Sequence, residues 1–166
     1  MSIEVFQQLE RVGKEHIDVW ISKVLKRNLI SDNYEAFKHF IEYGFYRNRR
    51  DELAKTYFTY AHNALDMLSQ KIEPSKKVQY LAEKGENVSN QFTILAKKTG
   101  KVHPTDCKFL ISACNDLIPK LEKYQYNVLQ YSNSFLEKRD LFGLHKELDR
   151  IKGVGTKIAS LYLRDV

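Results

Sequence analysis

An all-α domain of six to eight helices is what this sequence predicts, and three observations carry the prediction. Apolar residues recur at helical spacing almost throughout, as in Ile17, Trp20, Ile21, Val24 and Leu25, which fit the i, i+3, i+4, i+7, i+8 template of one helix face. Glycine and proline together number only 10 in 166 residues, about half of ordinary usage and too few turn-formers for a many-stranded sandwich or barrel. The prolines and glycines that do occur fall where helices should begin, bend or end.

The elements follow in order. After a break at Leu29 to Asn33, Asp32 and Glu35 form a start resembling a capping box, and Phe37, Phe40, Ile41 and Phe45 make the second stripe. A third helix carries Leu53, Tyr57, Ala61, Ala64, Leu65 and Leu68. Pro74 opens a fourth, with Val78, Leu81, Val88, Phe92 and Leu95 as its stripe, Gly85 as its weak point and Gly100 as its stop. Pro104 opens a fifth along Leu110, Ala113, Leu117 and Leu121, and Pro119 should kink it. Tyr124, Val128 and Tyr131 continue beyond the kink to a loop at Ser132–Ser134. Each stripe needs a partner face, so Trp20, Phe37, Phe40, Leu53, Leu65, Phe92, Leu110, Leu117 and Leu148 are expected to be buried.

Composition narrows the function classes. Hydrophobic residues at 43% and charged residues at 29% exclude a disordered acidic tail and an integral membrane protein. The longest apolar run, near Phe109 to Cys114, is far shorter than the roughly 18 residues of a membrane span. The first residues mix both charges and carry no apolar signal region. A soluble, cytoplasmic chain of one domain over 1–166 is expected, with no membrane partner. Cys107 and Cys114 are seven residues apart in a helical pattern, hence about 10 Å apart along the axis. That separation is beyond disulfide reach, so both read as free thiols. His16, His39, His62, His103 and His145 stand singly, without metal-ligand spacing, and no metal or cofactor is expected.

The net charge of +6 permits a polyanionic partner. Basic and acidic residues number 10 and 9 over 1–60, 9 and 6 over 61–120, and 8 and 6 over 121–166. No block dominates, so a nucleic-acid surface would have to come from small clusters brought together by folding. The clusters are Arg47, Arg49 and Arg50; Lys97, Lys98 and Lys101; and Arg150, Lys152 and Lys157. The first lies in Tyr43-Gly44-Phe45-Tyr46-Arg47-Asn48-Arg49-Arg50, whose interleaved aromatics and arginines suit base stacking and phosphate contact. An aromatic core followed by a basic helix start is the plainer reading there.

The tail is the informative part. Leu141, Leu144, Leu148 and Ile151 form a short amphipathic helix that runs into Lys152-Gly153-Val154-Gly155, and a new helix begins at Thr156 with Ala159, Tyr162 and Leu163 inward. Helix, Gly-x-Gly, helix is a hairpin whose glycines permit positive φ and close backbone approach. The first amides of the second helix, Gly155 to Ile158, lack intrahelical acceptors and sit at the positive end of its dipole, which makes an anion site. A bare Gly-x-Gly also serves as a tight turn between packed helices.

The string LDRIKGVGTKIASLYLRDV resembles the helix-hairpin-helix element of base-excision DNA glycosylases of the endonuclease III and 8-oxoguanine glycosylase superfamily. The matching residues are Ile151, then Gly153-Val154-Gly155, Thr156-Lys157 and Ala159, and the resemblance covers 144–166. It implies a DNA-repair protein that grips double-stranded DNA, damaged or abasic, by its phosphates and without sequence preference. Arg150, Lys152, Gly153, Val154, Gly155, Thr156 and Lys157 would form that grip, with Arg47, Arg49 and Arg50 as added contacts. Lys157 stands at the position of the lysine that forms a Schiff base with the sugar in bifunctional members. A lysine in the first turn of a helix faces the positive dipole end, which favours the neutral amine such chemistry needs. Three features depart from the family. Lys152 replaces the usual proline, no second Gly-x-Gly occurs, and the family's catalytic aspartate would fall past Val166. Asp165 is too near the hairpin to take its place, and the ending suits either a complete protein or a longer sequence cut short. Three readings follow: a glycosylase or AP lyase, a non-enzymatic DNA-binding module, and a helical protein-interaction domain.

Overall fold

The computed structural model describes residues 32–46 and 49–165. The helix expected around Trp20, and Arg47, lie outside the described residues. Eight α-helices and no strand occur among the described residues, as the apolar periodicity requires. They are α1 (Asn33–Phe45), α2 (Asp51–Ser69), α3 (Lys77–Leu81), α4 (Gly85–Ala96), α5 (Pro104–Ser112), α6 (Val128–Leu136), α7 (Leu141–Asp149) and α8 (Thr156–Asp165).

Helix α1 starts where Asp32 caps it, its side chain accepting from the Tyr34 and Glu35 amides at 2.8 and 2.9 Å. Glu35 does not close the reciprocal half of a capping box and instead pairs with Lys38 at 2.8 Å. The helix is the hub of the fold. It touches α2, α3, α5, α6 and α8, and Phe37, Phe40, Ile41, Tyr43 and Phe45 are all buried along it. Helix α2 packs on α4, and α4 on α5. Of the other residues expected inside, Leu65, Phe92, Leu110, Leu117 and Leu148 are buried.

Four expectations are corrected. Leu53 is 46% exposed, because the inward arc of α2 runs through Ala54, Tyr57, Ala61 and Leu65 and leaves Leu53 on its outer flank. The fourth stripe is two helices, α3 and α4, separated at Ala82–Lys84, where Glu83 takes φ +64°. Gly85 begins the second of these, its amide donating to Asn115 Oδ1 at 2.9 Å. The chain does not run helically through Tyr124 to Tyr131, since Gln125 and Tyr126 are both left-handed and Asn127 caps a fresh start at α6. Finally, Ser132–Ser134 is no loop but lies within α6. Its hydroxyls bond back into the helix, Ser132 to the Val128 carbonyl and Ser134 to the Tyr131 carbonyl, which satisfies them without breaking it.

The Pro119 kink is present in a particular form. Helix α5 passes into a π-helical turn over Ala113–Leu117 and then a 3-10 stretch over Ile118–Tyr124. Proline has no amide to donate to the preceding turn and its ring crowds that turn, so the ladder widens before it and tightens after it.

The core also sets a pH limit. Burial pushes the Cys114 thiol up from 9.0 to about 12. Burial, with Glu147 and Tyr124 adding to it, pushes Tyr131 up from 10.0 to about 12. The folded chain keeps both protons where the unfolded chain has lost them. Stability is therefore intact below about pH 9 and falls as pH rises toward about 12. Urea unfolding midpoints at about pH 8 and about pH 10.5 should differ accordingly, and a flat profile would contradict this account.

Candidate nucleic-acid interface

The hairpin is α7, a turn over Arg150–Gly155, and α8. Asp140 caps α7 by accepting from the Gly143 amide at 2.8 Å. At its other end the Ile151 amide donates to the Leu148 carbonyl, and the Val154 amide to the Ile151 carbonyl. Ile151 and Val154 are buried, so the turn is pinned to the core by its two apolar side chains. Ile158, Ala159 and Tyr162 bury the inner face of α8. Tyr162 meets Phe40 and Tyr43 edge-to-face at 5.2 and 5.4 Å and shares a 2.9 Å hydrogen bond with Ser132.

The two glycines of the turn have different reasons to be glycine. Gly153 has φ +88°, and a Cβ there would lie 2.8 Å from Phe109 Cβ and 3.0 Å from the Thr105 carbonyl oxygen. The turn needs Gly153 both for its backbone angle and for its seat on α5. Gly155 has no such need. Its φ is not in the left-handed region, and a Cβ there would have nothing within 4 Å. Its carbonyl accepts the first intrahelical bonds of α8, from Ile158 at 2.9 Å and Ala159 at 3.0 Å. The amides of Gly155, Thr156 and Lys157 have no acceptor among the described residues. These three residues and Lys152 are exposed, and neither Lys152 nor Lys157 forms an ion pair among the described residues.

The remaining candidates divide. Arg150 is exposed but paired with Glu147, which also holds Lys120 at 2.8 Å. The hydrogen bond from Lys120, with Arg150 beside it, keeps the Glu147 carboxyl below the usual carboxylate range. Arg50 is exposed at the start of α2. Arg49 is turned inward, which corrects its reading as a free phosphate contact. Its guanidinium grips both oxygens of Asp106, one at 3.0 Å, and stacks over Tyr57 at 4.7 Å. Of the aromatics beside it, Tyr43 and Phe45 are buried in the core and Tyr46 is half-buried against Phe58.

Two supports of the hairpin left no mark in its local sequence. The Lys152 amide donates to Ser112 Oγ at 3.0 Å, and Ser112 in turn donates to Asp116. Phe109 and Thr105 form the floor under Gly153. All of these lie on α5 or the π turn that follows it, some 40 residues earlier.

Among the described residues no helix is long and apolar enough to cross a membrane. No family model, curated protein or solved structure matches this chain.

Proposed function

We propose that this chain binds duplex DNA through the α7–α8 hairpin, gripping backbone phosphates without reading sequence. The observation that carries this reading is Gly155, an exposed glycine that neither φ nor packing requires, whose amide and those of Thr156 and Lys157 have no acceptor among the described residues. A residue kept bare on its outer side leaves room for another backbone to approach, and the amides with the dipole behind them attract an anion. Lys152 and Lys157 add charge on the same exposed turn. Phosphates carry no base information, so such a grip is general.

The reading extends to repair chemistry. Lys157 supplies an exposed amine beside those amides, suited to a Schiff base with the sugar C1′ of an abasic site.

A comparison of the two glycines tests the grip. Gly155→Thr should leave stability almost unchanged, since threonine is a good helix N-cap. Its hydroxyl would accept from the Lys157 amide and its side chain would crowd the approaching backbone, so duplex affinity should fall about tenfold or more, the loss of at least one charge-assisted hydrogen bond. Gly153→Thr should instead lower stability, by strain of about 1–3 kcal/mol plus the clash with Phe109. Affinity of the parent chain should fall with salt at a log–log slope of roughly −0.9 per phosphate neutralised. Salt-independent binding, or no duplex binding at low salt, removes the proposal.

A further inference from the structure

A second basic surface lies on the flank of α7 away from α8. Gly143, Lys146, Glu147 and Arg150, at i, i+3, i+4 and i+7, line one wall of a cleft of ≈ 550 Å³. The other walls come from the 3-10 stretch and α6. The flank toward α8 is marked instead by His145, whose ring nitrogen lies 3.4 Å from Ser160 Oγ.

Three aromatic rings shape the interior. Tyr131 is buried, and Tyr124 and Phe135, half-buried, each meet it edge-to-face at 5.3 Å. An edge-to-face pair covers one face of one ring only, and the aromatic surface that the three residues leave lining the cleft suits a planar ring. The rim is cationic. Four cations, Lys120, Lys123, Lys146 and Arg150, face two carboxylates, Glu122 and Glu147; Glu147 pairs with Lys120 and Arg150, whereas Lys123 and Lys146 are exposed and without an ion pair among the described residues. Aromatic faces inside and unpaired ammonium groups at the mouth complement one ligand chemistry, a planar ring that carries an anion. The volume is within the range of small-ligand sites.

We infer that this cleft binds a nucleotide, its base against Tyr124, Tyr131 and Phe135 and its phosphate at Lys123 and Lys146. A mononucleotide in solution and the last nucleotide of an unpaired strand present the same ring and phosphate. Base–aromatic stacking tolerates any base, so the cleft selects the class and not the sequence.

Equilibrium dialysis of the full chain against adenosine monophosphate tests this, with adenosine and inorganic phosphate as its two halves. The nucleotide should be held, and each half should bind about tenfold more weakly or worse, since each lacks one set of contacts. The Lys123→Ala/Lys146→Ala double variant, altered only at exposed side chains, should lose about tenfold in nucleotide affinity and keep its weak adenosine binding. Phosphate bound as well as the nucleotide would reduce the site to a cation patch. Adenosine bound as well would reduce it to an apolar cleft. Either result, no nucleotide binding, or undiminished binding by the double variant overturns the inference. Duplexes with and without a short unpaired overhang separate the two sources. An overhang that tightens binding in the parent but not in the double variant assigns the site to a strand end. Equal binding of both duplexes, with the mononucleotide still held, assigns it to free nucleotide. Gly155→Thr should leave nucleotide dialysis unchanged, so failure of the hairpin reading and failure of this one are told apart.

Discussion

Asp106→Ala is expected to cost the fold about 3–5 kcal/mol, the range for stripping one partner from a buried ion pair. Asp106 is 1% exposed, and the Arg49 guanidinium that grips it has little solvent to turn to, being held over Tyr57 and against the Phe45 carbonyl at 3.3 Å. The loss comes less from the missing attraction than from leaving a charge in a place that cannot hydrate it. Replacing both residues together, as in Arg49→Met with Asp106→Leu, should therefore recover much of what the single change loses. Urea denaturation of the parent, Arg49→Met, Asp106→Leu and the double variant closes the cycle and gives the coupling. A loss below about 1 kcal/mol for Asp106→Ala would show the pair to be as weak as an exposed one. The pair also matters to the hairpin, because Asp106 shares α5 with Thr105, Phe109 and Ser112, which seat Gly153 and Lys152.

Arg49 shows where sequence reasoning stops. Its neighbours in the chain are aromatic and basic, and that local pattern suits a phosphate contact. Its partner is 57 residues away, and no spacing rule connects the two. Leu53 fails for a related reason. The stripe in α2 can be phased through Leu53 or through Ala54, and only the packed neighbours decide. Ser132 suits a turn, because serine competes with helical bonding. Inside α6 it meets the Tyr162 hydroxyl instead, from 30 residues away. What was legible depended on short-range physics. The Asp32 cap, the Pro104 start, the bend at Pro119 and the buried faces of Phe37, Phe40, Phe92 and Leu110 all follow from residues within a turn or two of each other. The two helices α7 and α8 and the turn between them belong to the same class, since the glycines, apolar anchors and exposed lysines there occupy one continuous stretch. Its floor on α5 does not, and neither does the aromatic cleft, which three separate segments assemble.

Lys157→Gln is expected to abolish borohydride trapping on abasic-site DNA while leaving part of the duplex affinity. The amine adds to the C1′ aldehyde of the opened sugar and water leaves, forming a Schiff base that borohydride reduces to a stable secondary amine joining protein and DNA. Glutamine has no basic amine and cannot take the first step. The hairpin amides remain, so the variant should still bind, more weakly by about the one phosphate contact that Lys157 would otherwise make. Lys152→Ala provides the control. Lys152 is exposed on the same turn and without an ion pair among the described residues, and its loss should lower binding with little change in trapping per bound complex. That difference separates a nucleophile from a phosphate contact, because a residue that only binds lowers both in proportion. An adduct that persists in Lys157→Gln would assign the chemistry to another amine. The absence of any adduct from the parent chain, on abasic DNA it demonstrably binds, would leave Lys157 as a phosphate contact and the hairpin as a binding element alone.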